Sequence, residues 1–191
     1  MPGVTGVAEI EAFRRLLETI EHELRSERGH ASRQLPVGAM IETPSALFML
    51  KDIAEIADFL SLGTNDLLRH LFGRERGRVK ETACEPSLLR AINAAVRLAN
   101  EQHREMGICG EVAGDPAFTS LLVGLGLRRF SMSPERLPEV RYNVSRIHAS
   151  GAAALARRVL DLKSADEVAR CLDEHGNPWH QMVRAREGEA R

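Results

Sequence analysis

Residues able to do chemistry stand just behind short apolar runs in this chain. Glu42 follows Val37 to Ile41, Asn65 and Asp66 follow Phe59 to Leu62, Cys109 closes the run from Met106 with Gly110 and Glu111 after it, and Ser131 and Ser133 flank the end of Phe130 to Met132. If the runs are neighbouring strands, Glu42 and Asp66 approach each other, and two carboxylates in one place repel unless a cation joins them. Mg²⁺ suits such a pair, because it prefers hard oxygen ligands and commonly takes one or two carboxylates plus a substrate phosphate. Asn65 adds an uncharged donor for an anionic oxygen. Arg74, Arg76 and Arg78 follow in an irregular basic stretch, where a guanidinium fork can grip a phosphate. A cysteine thiol with an ordinary pKa near ~8.5 is mostly protonated at neutral pH, so Cys109 can serve as an acid. Gly107 and Gly110 beside it let backbone and ligand come close. Each residue also has a plain structural reading: a carboxylate behind a strand can cap a helix, arginines can solvate a loop, and a free cysteine can be a small buried apolar group. Several on one predicted face tip the balance toward a site. No His/Cys set has zinc spacing, and the seven histidines are scattered.

The elements that must position these residues alternate. Ile10, Phe13, Leu16, Leu17, Ile20 and Leu24 recur at helical spacing, with Gly29 as the stop. Val37 to Ile41 reads as a buried strand, and Thr43-Pro44 as the N-cap and first residue of a helix lined by Leu47, Leu50, Ile53 and Ala54. Phe59 to Leu62 is a second strand. Pro86 opens a helix, Met106 to Cys109 is a third strand, Asp115-Pro116 starts a further helix that stops at Gly126, and Phe130 to Met132 is a fourth strand with Ser133-Pro134 after it. Ser164 and Glu167 form a capping box. Residues 1–175 are expected to form one domain, and 176–191 a polar, frayed tail. Apolar strands alternating with helices mean an α/β fold with parallel strands covered by helices. A barrel and an open sheet both fit. Four strands in 191 residues, where a full barrel takes about 250, point to the C-terminal half of a (βα)8 TIM-type barrel.

Composition narrows the function classes. A net charge of −1 gives no electrostatic footprint for nucleic acid or a membrane surface. The three cysteines, Cys84, Cys109 and Cys171, are odd in number and far apart, which argues for a reducing compartment rather than a disulfide framework. With no apolar run of membrane length and no leader-like N-terminus, a cytoplasmic protein is expected.

Four motifs carry a family resemblance: G-A-M-I-E-T-P-S-A from Gly38, D-F-L-S-L-G-T-N-D-L from Asp58, G-I-C-G-E-V-A-G-D-P from Gly107 and F-S-M-S from Phe130. In order and spacing they resemble the C-terminal domain of phosphoenolpyruvate-utilising enzymes, which include enzyme I of the sugar phosphotransferase system, its nitrogen-regulatory relative, pyruvate phosphate dikinase and phosphoenolpyruvate synthase. Glu75-Arg76-Gly77 and F-S-M-S favour enzyme I. The resemblance implies Mg²⁺ on Glu42 and Asp66, the phosphoryl group on Asn65 and Arg76, and Cys109 as proton donor to the enolate as pyruvate forms. It also implies a phosphohistidine domain, a phosphocarrier protein and a homodimer. The sequence departs from the pattern at Glu75, where the family usually has Asp, and at Leu68-Arg69. It shows no segment like the family's G-G-x-T-S-H, so the chain alone is expected to be inactive. Two alternatives are a Mg²⁺-dependent 2-oxo-acid aldolase or lyase barrel and a non-catalytic half barrel for dimerisation or regulation. Cys109 and Arg76 suit phosphoenolpyruvate and neither is expected in the aldolases.

Overall fold

The computed structural model describes residues 1–28, 35–73, 83–178 and 180–182. The chain begins along a sheet edge: the backbone nitrogen of Met1 donates to Gly38 O at 2.7 Å, and Met40 N donates to Met1 O at 2.8 Å. One residue bonded to two alternate residues of its neighbour is a parallel ladder. Helix α1, Val7–Arg28, follows. Its Ile10 is buried and Phe13 and Leu17 are partly so, but Leu16, Ile20 and Leu24 are exposed. The helix packs chiefly on α3, Leu50–Ile56, so its apolar stripe is wider than the surface that receives it. Gly29, its expected stop, lies outside the described residues.

Strand β1, Gly38–Ile41, leads to Thr43, whose hydroxyl accepts from Ala46 N at 3.1 Å and caps α2, Pro44–Phe48. The expected single helix here is two, interrupted at Met49. Strand β2, Phe59–Gly63, runs directly into α4, Thr64–Phe72. Then come α5, Pro86–Glu101, and β3, Met106–Cys109. A single turn, α6, Glu111–Gly114, precedes α7, Thr119–Gly124. The sequence places the start of that helix at Asp115-Pro116; Asp115 instead caps a turn, its Oδ1 accepting from Ala117 N at 2.9 Å. Strand β4, Arg129–Ser131, is followed by a 3-10 turn, Pro134–Arg136, then α8, Leu137–Arg146, α9, Ala149–Asp161, and α10, Ala165–His175. The Ser164/Glu167 capping box forms as read.

The strands lie in the order β1-β2-β3-β4, all parallel. Right-handed crossovers that always step in one direction put their helices on one face. A doubly wound sheet reverses direction and covers both. The sequential order is therefore that of a barrel, and four strands are part of one. The register aligns Ala39, Leu60 and Met106, and likewise Ile41, Leu62, Ile108 and Phe130. These side chains face the helices, and all but the partly buried Phe130 are buried. Met40, Ser61, Gly107 and Arg129 align on the opposite face, as do Gly63, Cys109 and Ser131.

Candidate functional site

A cleft of about 750 Å³ opens at the C-terminal ends of β2, β3 and β4, lined among others by Asn65, Cys109, Glu111, Ser131 and Ser133. This is the end of the strands where parallel α/β folds carry their chemistry. Each group stands there for a local reason. Cys109 ends β3, and its thiol donates to Leu62 O at 3.4 Å while Ser61 Oγ donates to its sulfur at 3.8 Å. Thr64, fully buried, ties the ends of β2 and β3 together by donating its hydroxyl to Cys109 O at 2.8 Å. Asn65 Oδ1 accepts from Glu111 N at 3.2 Å, which leaves its Nδ2 without a partner among the described residues.

Gly110 makes that arrangement fit. Its φ of 103° and ψ of −174° belong to a region essentially restricted to glycine. A Cβ there would also stand 2.5 Å from Thr64 Oγ1 and 2.7 Å from Asn65 Oδ1. Gly63 performs the same service for Glu42: a Cβ at Gly63 would stand 2.7 Å from Glu42 Oε2. Glu42 is 8% exposed and its Oε1 accepts from Gly3 N at 2.5 Å. Its other oxygen has no hydrogen-bond partner among the described residues, and no basic side chain there pairs with it. A buried carboxylate without a counter-charge is costly, and its hard oxygen donors fit a divalent cation.

Burial pushes the Cys109 thiol above the ordinary cysteine range; the Ser61 hydrogen bond opposes this and the negative charge of Glu42 adds to it. The thiol is thus held in its protonated form at neutral pH. Cys84, next in the chain to the cleft-lining Ala83, is pushed up to about 11, mainly by burial and then by Asp115, Asp173 and Glu85. All three cysteines are free.

Of the residues singled out in the sequence, Asn65, Cys109, Ser131 and Ser133 share the cleft. Glu42 and Asp66 do not line it. Glu42 sits between Gly3 and Gly63, and its charge acts on Cys109. Asp66 is in the first turn of α4, with Oδ1 3.5 Å from Arg69 Nη2. Arg74, Arg76 and Arg78 lie outside the described residues. Among the described residues, no group of three or more His, Cys, Asp or Glu could hold a metal ion by itself, so a cation on Glu42 and Asp66 would need further oxygens from substrate or water. Four residues escaped the sequence reading. The Gly3 amide and the Ser61 hydroxyl lie 39 and 48 residues from their partners. His180, in the expected tail, lines the cleft, and Asn177 Oδ1 accepts from the buried Asn143 at 3.0 Å. The only sequence signal for any of them is the short polar break that Ser61 makes in its strand. Among the described residues, no helix is long and apolar enough to cross a membrane.

The profile of the PEP-utilising enzyme, PEP-binding domain family matches residues 1–149. A phosphoenolpyruvate-protein phosphotransferase of Haloferax volcanii is 42% identical over 90% of this chain and 31% of its own length. A protein of Salmonella typhimurium named phosphoenolpyruvate-dependent phosphotransferase system is 35% identical over 88% of the chain and 23% of its own length. The chain therefore spans less than a third of these relatives. A citrate lyase from Burkholderia xenovorans LB400 has a similar fold, with a TM-score of 0.55 at 16% identity, covering 100% of this chain and 63% of the lyase.

Proposed function

The chain belongs to the PEP-utilising enzyme, PEP-binding domain family, and on that premise we propose that it supplies the phosphoenolpyruvate site of a phosphoenolpyruvate-protein phosphotransferase. In this reading Glu42 and Asp66 hold Mg²⁺, which when bound supplies positive charge to the substrate's oxygens. The Nδ2 of Asn65, with Arg76, binds the phosphoryl group. When the phosphoryl group leaves for a histidine on another domain, its P–O bond breaks and the enolate of pyruvate remains. Cys109 then gives its proton to the methylene carbon: the S–H bond breaks, a C–H bond forms, and the thiolate left behind is stabilised by the Ser61 hydroxyl. A phosphocarrier protein is the onward acceptor and a homodimer the working assembly.

The observation that carries this reading is the Cys109 thiol at the cleft, hydrogen-bonded to Leu62 O and Ser61 and pushed by burial toward its protonated form, beside an Asn65 amide nitrogen with no partner among the described residues. A thiol proton donor suits protonation of the enolate carbon, and an amide donor beside it suits the oxyanion from which that enolate forms. Calorimetric titration of the chain with phosphoenolpyruvate or oxalate tests the proposal. Binding is expected to be tighter with Mg²⁺ than without, and Asp66→Asn is expected to remove the difference. Equal affinity with and without the metal would overturn the metal assignment; no binding in either condition would overturn the site. The chain alone is expected not to become phosphorylated, and a stoichiometric acid-labile phosphohistidine after incubation with labelled phosphoenolpyruvate would contradict that.

A further inference from the structure

A second concavity of about 220 Å³ lies around the start of α9, bounded by Ser120, Arg146, His148, Gly151 and His175 among others. Pro116 and Phe118 line the main cleft, and Ser120, one short step along the chain, lines this one. We propose that it binds the phosphoryl group of a small phosphate monoester. This does not rest on the function proposed for the main cleft.

Three independent features point to an anion. The amides of Ala149, Ser150 and Gly151 open a 13-residue helix and have no acceptor among the described residues; the first amide to bond back is Ala152, to His148 O. His148 at the N-cap offers no side-chain cap. Free amides and the positive end of the helix dipole form an anion cradle when a ligand is present. Ser120 is 7% exposed, lines the concavity, and has no hydrogen-bond partner among the described residues. Its oxygen is not among the fully buried side-chain atoms that lack a partner, so it opens onto the concavity, where a ligand oxygen can replace water as its hydrogen-bond partner. Gly151 sits in the first turn, where glycine weakens a helix relative to alanine. A Cβ there would meet nothing within 4 Å, so packing gives no reason for it. Close approach of a ligand to the backbone does.

The charges agree. Arg146 stacks on Tyr142 at 5.3 Å and forms no ion pair with a described residue. His148 and His175 add imidazole donors, and no carboxylate lines the concavity among the described residues. A guanidinium beside free helix amides recognises phosphate by charge and by fork geometry together.

The test is titration of the ¹⁵N-labelled chain with inorganic phosphate, at ionic strength held constant with chloride. Saturable shifts are expected at the Ser150 and Gly151 amides. Arg146→Gln and Ser120→Ala should each weaken the apparent affinity, the arginine change by about tenfold or more. Gly151→Ala separates a binding role from a structural one: thermal stability should rise while phosphate affinity falls. Shifts that do not saturate, shifts confined to Cys109 and Gly110, or an affinity unchanged in both Arg146→Gln and Gly151→Ala would overturn the site.

Discussion

The two faces of the sheet are built on opposite terms. On the face that the helices cover, Ala39, Ile41, Leu60, Leu62, Met106 and Ile108 are buried and apolar, and their cross-strand neighbours are of the same kind. On the other face, Met40, Phe59, Ser61, Gly63, Gly107, Cys109, Arg129 and Ser131 mix small, polar and apolar residues, several of them exposed, and Phe59 lies over Gly38. The first face stabilises by area removed from water, which is insensitive to orientation. The second holds particular atoms where a substrate could meet them, and small residues there leave room. Substitutions should therefore damage stability on one face and chemistry on the other.

The largest separation is expected at Cys109. In a phosphotransferase whose matching segment is exchanged for this chain, Cys109→Ala should slow pyruvate formation by about 10²–10⁴-fold. It should leave phosphoenolpyruvate binding and the melting temperature nearly unchanged. Turnover within a few-fold of the parent would reduce Cys109 to a packing residue and erase the contrast.

Leu62→Ala, one residue past Ser61 on the covered face, should cost about 2–5 kcal/mol of stability, read from chemical denaturation. Ligand affinity in the protein that remains folded should not change. A cost under about 1 kcal/mol would mean that the covered face is not the core it resembles.

Gly110→Ala lies between the two kinds. Its backbone conformation alone should cost about 1–3 kcal/mol, and the new methyl would displace Asn65, so affinity and stability should fall together. An unchanged affinity would show that Asn65 contributes nothing to binding.

The smallest effect is expected at Ser61→Ala, under about 1 kcal/mol in stability. Its signature is in pH. In the role proposed for Cys109 the reaction needs the protonated thiol, and burial already holds that thiol above its ordinary range while Ser61 pulls it down. Removing Ser61 should move the alkaline limb of the pH–rate profile further up. A limb that moves down would reverse the role given to that hydrogen bond.

Sequence by itself determined the local features. The Thr43 cap, the Ser164/Glu167 box, the third strand at Met106 to Cys109 and the order of the chemistry-bearing residues rest on hydrogen bonds that reach three or four residues and on apolar periodicity. What escaped it was set by register. Apolar-looking strands such as Phe59–Gly63 suggested burial on both faces, and only the parallel ladder shows that Ser61 and Gly63 share the open face with Cys109. Leu16, Ile20 and Leu24 have helical spacing, but their exposure depends on how little surface α3 presents to α1. The Gly3 amide on Glu42, the room that Gly63 gives it, and the Ser61 hydroxyl on Cys109 join residues 21 to 48 apart. No local pattern encodes such a pairing, because a one-residue slip in strand register would send each of these side chains to the opposite face.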